Sequence, residues 1–408
     1  MPQLNKLRTV SSGGSGADTA SASAIRLRAA LTAFFALDGF LFAGWVVRIP
    51  AIKHQTGASA STLGLALLGV SAGAVITMVL TGRLCRRYGS HAVVVVCGVL
   101  LPLTIALPAQ TRSALSLGLV LLLFGAAYGG MNVAANSAAV ELVTTLRRPV
   151  MPSFHAAFSL GGMAGAGLGG LVASRLSPGT HLFALAAVGL AVTAAVGPLL
   201  LRHAAAAIGP AAPEPSGTAP QPRRIPPHVR RIVVLFGVIA LCTAYGEGAL
   251  AEWGALHLSQ DLHAGAGVAA AGYSVFALAM AIGRLSGTAL LERLGQTRTL
   301  VAGGAIASAG MLLGALAPTV PLALAGFAVT GLGLANIFPV AVGRAGELAG
   351  PGGVAAASTL GYGGMLLGPP VIGFLADGLT LPLALTTVTL LAAVSAVLGW
   401  GARNAAHG

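Results

Sequence analysis

Two carboxylic acids stand inside apolar runs of this chain. Asp38 follows A-L-T-A-F-F-A-L, and Glu247 sits within C-T-A-Y-G-E-G-A-L-A. An acid at the centre of a membrane-length helix costs about 2.5–3.5 kcal/mol on insertion scales, a cost offset by a wet cavity, a cation or a bound proton. A carboxyl held away from water binds its proton more tightly. Both residues are therefore read as groups that load and unload a proton, with a structural hydrogen bond to a neighbouring helix as the alternative. Tyr128, Asn132 and Asn136 recur at four-residue spacing, which puts three polar groups on one helix face. Such a stripe suits hydrogen bonding to a polar solute, and the competing reading is adhesion between helices. Asn336 and Tyr362 are the matching candidates in the second half of the chain.

His155 titrates near neutral pH and follows Glu141, Arg147 and Arg148 in sequence, which places it at a gate. Glu252, beside Trp253, is a gate candidate at the other end. Trp45 and Trp253 read mainly as interface anchors, and Arg48 and Lys53 as ordinary loop charges. Cys85, Cys97 and Cys242 are scattered, with neither metal nor disulfide spacing. No nucleotide-binding G-x-x-x-x-G-K-[ST] loop and no cluster of His, Asp and Ser suited to hydrolysis is found. Neither a metal, a cofactor nor an enzymatic activity is expected.

The elements that carry these residues are helices of membrane length. Hydrophobic residues make up 56% of the 408 positions and charged residues 8%, against roughly 25% charged in a soluble domain. The bilayer is the solvent for such a surface. About 20 apolar residues span its core, and twelve blocks of that kind are read: 27–47, 61–82, 91–109, 113–143, 153–174, 181–201, 231–251, 265–287, 298–317, 320–343, 354–376 and 381–401. Spans must be helical, because hydrocarbon leaves a strand edge unsatisfied. Residues 1–26 read as a disordered tail and 404–408 as a second tail. Residues 202–229 contain seven prolines, which forbid a continuous helix. They join a six-helix bundle at 27–201 to another at 230–403.

The net charge of +13 follows the spans. Nineteen Lys and Arg residues, among them Arg83, Arg147, Arg202, Arg284 and Arg344, fall on one side, and only Arg48, Lys53, Arg112 and Arg175 fall on the other. The positive-inside rule then puts both termini in the cytoplasm. No basic cluster interleaved with aromatics exists, which excludes nucleic acid as the partner.

The two halves echo each other. Asn132 follows Gly129 by three residues, and Asn336 follows Gly333 by three; F-S-L-G-G-M at 158–163 answers L-G-Y-G-G-M at 360–365. Asp38 precedes G-W, and Glu247 precedes E-W. Parallel duplication of a six-helix unit is the pattern of a protein whose halves rock about a shared site. Gly161, Gly165 and Gly169, flanked by Gly162 and Gly170, give span five a smooth stripe that suits either static packing or sliding.

These features resemble the major facilitator superfamily over about residues 27–403. The superfamily's loop between spans two and three has the form G-x-x-x-D-R-x-G-R-R. Here it reads G-R-L-C-R-R-Y-G-S-H, with Gly82, Arg87 and Gly89 matching, Arg86 at the acidic position, and Ser90 and His91 at the basic pair. The second-half copy, G-T-A-L-L-E-R-L-G, keeps Glu292 and Arg293. The resemblance implies gating roles for Arg87, Glu292 and Arg293. M-N-V-A-A-N-S-A-A-V-E (131–141) and R-P-V-M-P-S-F-H-A-A-F-S-L-G-G (148–162) are further similar to a bacterial subgroup related to fucose-permease-type sugar symporters. The expectation is an all-α membrane protein of twelve helices in two pseudo-symmetric bundles, monomeric, moving a small polar solute with protons. Proton-driven efflux of a drug or secondary metabolite is the alternative within transport, and a non-transporting membrane sensor is the alternative outside it.

Overall fold

The computed structural model describes residues 14–146, 150–208 and 226–403. Those residues form helices joined by short turns. Among the described residues, eleven helices are long and apolar enough to cross a membrane. The remaining one, Met151–Val172, has 22 residues, about 33 Å of rise; its glycines dilute its hydropathy rather than shorten it. The count of twelve spans thus holds. Spans eight and nine, Ala266–Ala315, meet at a kink at non-helical Gly295, and the helix Ile337–Gly378 carries the end of span ten and all of span eleven.

Three boundaries differ from expectation. The first helix begins at Gly14, so residues 14–26 are helical where a disordered tail was expected. The A-S-A-S-A run there contains no proline, and alanine favours helix continuation. The sixth span reaches Ile208 and the seventh begins at Pro227, so both helices enter the proline-rich segment. Pro227 falls in the first turn, where a missing N–H costs nothing.

Each half packs the same way. Span one lies along span five and span seven along span eleven; spans two and four pair, as do eight and ten; spans three and six pair, as do nine and twelve. The glycine stripe explains the closest pair. A methyl on Gly161 would collide with the carbonyl of Ala36, and one on Gly165 with that of Phe40, so span one rests directly on the span-five backbone. The opposite side of the stripe faces the other half: Gly162 lies by Tyr273, and Gly170 by Gly267. The halves meet through spans two and eleven and through spans five and eight.

The turns after spans two and eight share one device. Gly89 has φ +84° and Gly295 has φ +75°, a region that side chains disfavour. The next residue in each case reaches a glutamate near the end of span four or ten. Ser90 Oγ donates to Glu141 Oε1 at 2.6 Å and His91 Nδ1 lies 3.5 Å from Glu141 Oε2. Gln296 Nε2 donates to Glu347 Oε1 at 3.5 Å, and Arg344 pairs with Glu347 at 2.6 Å. Ser90 and His91, the apparent departures from the loop pattern, are therefore the residues that tie it down. Arg87, Glu292 and Arg293 are exposed and make no ion pair among the described residues, so they form no latch in this conformation.

Candidate functional site

The polar stripe on span four turns toward the seam between the halves. Asn136 Nδ2 donates to the Asn132 carbonyl at 2.8 Å and lies 3.3 Å from Asn132 Oδ1. The same Oδ1 accepts from the Tyr362 hydroxyl of span eleven at 3.3 Å. Residues from both halves that were proposed separately as substrate contacts thus share one hydrogen-bonded unit. Tyr128, two turns before Asn136, stacks on Phe42 with centroids 4.9 Å apart. It lies within the electrostatic reach of Asp38, Glu247, Tyr273 and Tyr362. Three of the chain's five tyrosines converge there.

Asp38 is buried on span one, and its Oδ1 has no hydrogen-bond partner. At 3% exposure it is covered by the protein, within electrostatic reach of Tyr128 and Cys97. Glu247 has a different setting. Its Oε2 lies 3.2 Å from Nη2 of Arg284 on span eight, with 24% and 22% of the two side chains exposed. Nη1 of Arg284 donates to Ser159 Oγ at 3.1 Å. Ser159 belongs to span five of the other half, so one guanidinium joins an acid of the second bundle to a hydroxyl of the first. His155, one turn before Ser159, packs edge-on against Phe35 with centroids 5.8 Å apart and lies within the field of Arg284. Arg147 and Arg148, expected beside it, lie outside the described residues.

On sequence Arg284 fell within the block 265–287 and was counted only toward the cytoplasmic charge excess; the structure gives it partners, Glu247 and Ser159. An arginine inside L-A-M-A-I-G-R-L was the available signal, since a cation within a span needs a partner. Asn336 goes elsewhere: it is buried, its Nδ2 donates to the Gly283 carbonyl at 2.8 Å, and it holds span ten against span eight. Glu252 is buried with Oε2 unpartnered, inside the second bundle rather than at its rim. Trp45 and Trp253 are 1% and 0% exposed, which overturns their reading as interface anchors; each is packed within a bundle.

Arg48 is corrected as well. It is 2% exposed. Its Nε donates to His181 Nδ1 at 2.8 Å, and Nη1 donates to the carbonyls of Ala173 and Leu176 at 3.3 and 3.2 Å. Burial lowers its pKa from the ordinary arginine value. The partners cap the end of span five, so this arginine is a structural clasp. Lys53, on the short helix Ile49–Thr56, reaches across the halves to Gln260 Oε1 at 3.3 Å. Burial lowers its pKa, while Asp377 and Asp261 pull it back up.

Other bonds cross the seam. Asp377 accepts from the backbone N–H groups of Ala60 and Ser61. Ser71 Oγ donates to the Met365 carbonyl at 3.1 Å, and Ser274 Oγ to that of Met163 at 3.4 Å. Lys53, Ala60 and Asp377 fasten the end opposite the basic loops, whereas Ser159, Arg284, Asn132 and Tyr362 meet deeper in the molecule.

The sequence profile of the Major Facilitator Superfamily matches residues 29–251 and 236–406. An uncharacterized transporter of Sinorhizobium fredii, y4wD, is 34% identical over 90% of this chain and 96% of its own length. An uncharacterized MFS-type transporter of Yersinia pestis is 32% identical over 88% of this chain and 91% of its own. Membrane protein MosC of Rhizobium meliloti is 29% identical over 89% and 86%. Among solved structures, a bacterial homologue of the lysosomal transporter Spinster, inward-facing and unoccupied, superposes with TM-score 0.75 at 13% identity, covering 94% of this chain and 97% of that one. The nucleoside transporter NupG superposes with TM-score 0.67 at 16% identity, covering 92% and 98%. At these identities the structural likeness speaks for the fold.

Proposed function

The chain belongs to the Major Facilitator Superfamily, and from that premise we propose that it carries a small polar solute across the bacterial plasma membrane by alternating access, coupled to protons through Asp38 and Glu247. The reading rests above all on one convergence: Asp38, a buried acid with an unpartnered oxygen, Glu247 of the carboxylate–guanidinium pair, and Tyr273 and Tyr362 of the second half all lie within electrostatic reach of Tyr128 in the first. A static scaffold gains nothing from an unpaired buried acid, which costs free energy. A carrier gains a group that takes a proton at one face and yields it at the other.

Orientation follows from charge. With the basic loops in the cytoplasm, the bonds of Lys53 and Asp377 fasten the outer end. The resemblance of the span-four and span-five segments to fucose-permease-type symporters supports a polar solute. Tyrosine rings and asparagine amides suit a molecule with both an apolar face and hydrogen-bonding groups.

The test is uptake of radiolabelled sugars, organic acids and drug-like amines into proteoliposomes holding an imposed pH gradient. Asp38→Asn and Glu247→Gln are expected to abolish gradient-driven accumulation while leaving solute counterflow intact. Accumulation that is unchanged in both variants ends the coupling assignment.

A further inference from the structure

We infer that the solute carries a carboxylate, and that Arg284 is its docking group, vacated by Glu247 when that acid takes a proton. This rests on the transport reading and specifies its substrate class. The geometry of the pair is the argument. A guanidinium presents five N–H donors in a planar fork that matches a carboxylate through two parallel bonds. Arg284 makes no such match with Glu247: one Nη2 contact at 3.2 Å holds the acid, and Nη1 is turned to Ser159. The remaining donor, Nε, is neither hydrogen-bonded nor among the sealed polar atoms. The side chain is 22% exposed, so it is not sealed within the bundle.

Charge completes the case. Glu247 and Arg284 together are neutral. A proton on Glu247 leaves a partly buried cation beside Ser159, and such a cation demands an anion. His155 of span five and Tyr273 of its own helix lie within electrostatic reach of Arg284, Tyr128 of span four lies within reach of Glu247, and Tyr362 and Asp38 lie within reach of Tyr128. None of these groups replaces the lost charge on Arg284 directly: Tyr128, Tyr273 and Tyr362 are neutral hydroxyls, His155 is neutral or cationic, and Asp38 makes no ion pair with Arg284 among the described residues. The entering carboxylate does so, while the tyrosines and Asn132 contact the rest of the solute. Proton loading and anion binding become one event on one arginine, which couples the two without a separate relay.

The test uses thermal shift on the purified full-length protein with matched pairs: gluconate and sorbitol, lactate and 1,2-propanediol, glucuronate and glucose, benzoate and benzyl alcohol. At least one acid is expected to stabilise the wild type more strongly at pH 6 than at pH 8, with its neutral partner inactive. Glu247→Gln removes the competing carboxylate, so the same acid is expected to bind about tenfold more tightly at pH 8 and to lose its pH dependence. Arg284→Ala is expected to lose the effect, and if that variant does not fold, Glu247→Gln still decides. Stabilisation by a neutral partner equal to its acid, no response to any acid, or unchanged pH dependence in Glu247→Gln overturns the inference. Binding of an acid without its movement into vesicles sinks the transport reading instead, and proton-driven uptake of only the neutral partner keeps transport and sinks the anion site.

Discussion

The carboxylate of Asp377 caps a helix to which it does not belong: its Oδ1 accepts from the backbone N–H of Ala60 at 2.9 Å, across 317 residues of sequence. Oδ2 accepts from Ser61 at 2.8 Å. These donors open span two of the first half, while Asp377 closes span eleven of the second. The positive end of a helix dipole strengthens such a bond. On the proposed orientation, opening the outer end would break it.

Asp377→Ala therefore shifts the carrier toward its outward-open form. Loss of a cap of this kind costs about 0.5–2 kcal/mol, or roughly twofold to thirtyfold in the equilibrium between states. A cysteine placed on the outer side of the seam, probed with a membrane-impermeant maleimide, is expected to react correspondingly faster. Unchanged reactivity argues against a latch at this position.

The two faces of span five carry different tolerances. Gly161→Ala drives a methyl into the Ala36 carbonyl, whereas a methyl on Gly162 has its nearest neighbour at 3.7 Å. Overpacking costs about 1–3 kcal/mol, so Gly161→Ala lowers the melting temperature in detergent, and Gly162→Ala leaves it within about a degree or two. Equal losses in both variants contradict the assignment of faces.

Arg48 is expected to be intolerant of replacement. Arg48→Ala strands the acceptors on His181, Ala173 and Leu176, and an unsatisfied buried acceptor costs about 1–3 kcal/mol. Arg48→Lys supplies a compact ammonium without the fork and recovers only part of this. Thermal unfolding in detergent measures both. Because Arg48 Nε is a donor, His181 Nδ1 must be the unprotonated nitrogen, so His181→Gln, which can accept there, is expected to destabilise less than His181→Leu.

Tyr362→Phe separates adhesion from recognition. Its bond to Asn132 is 3.3 Å long and joins neutral groups, worth about 0.6 kcal/mol within a membrane protein. Melting is expected to change little, while the solute KM in proteoliposomes rises. A large drop in melting temperature with an unchanged KM marks the pair as adhesion only.

The candidate site was half legible before the fold. Asp38 and Glu247 stood out because an acid in an apolar run is costly, and the four-residue rhythm of Tyr128, Asn132 and Asn136 showed a shared face. Arg284 did not stand out, because a basic residue near a helix end looks like any loop charge. Only its approach to Glu247, 37 positions away, and to Ser159, 125 positions away, gives it a role. Arg48 was misread for the same reason: Arg48 and His181 are 133 residues apart.

By itself the sequence determined the solvent, the helices and the duplication, because hydropathy, helical period and repeated motifs act over short stretches of chain. The packing decided which face of each helix meets which neighbour. That choice made Trp45 a core residue, turned Asn336 toward Gly283, and brought Glu247 and Arg284 to the seam with Ser159. Contacts between distant segments depend on how all twelve helices fit together at once, and no local pattern encodes them.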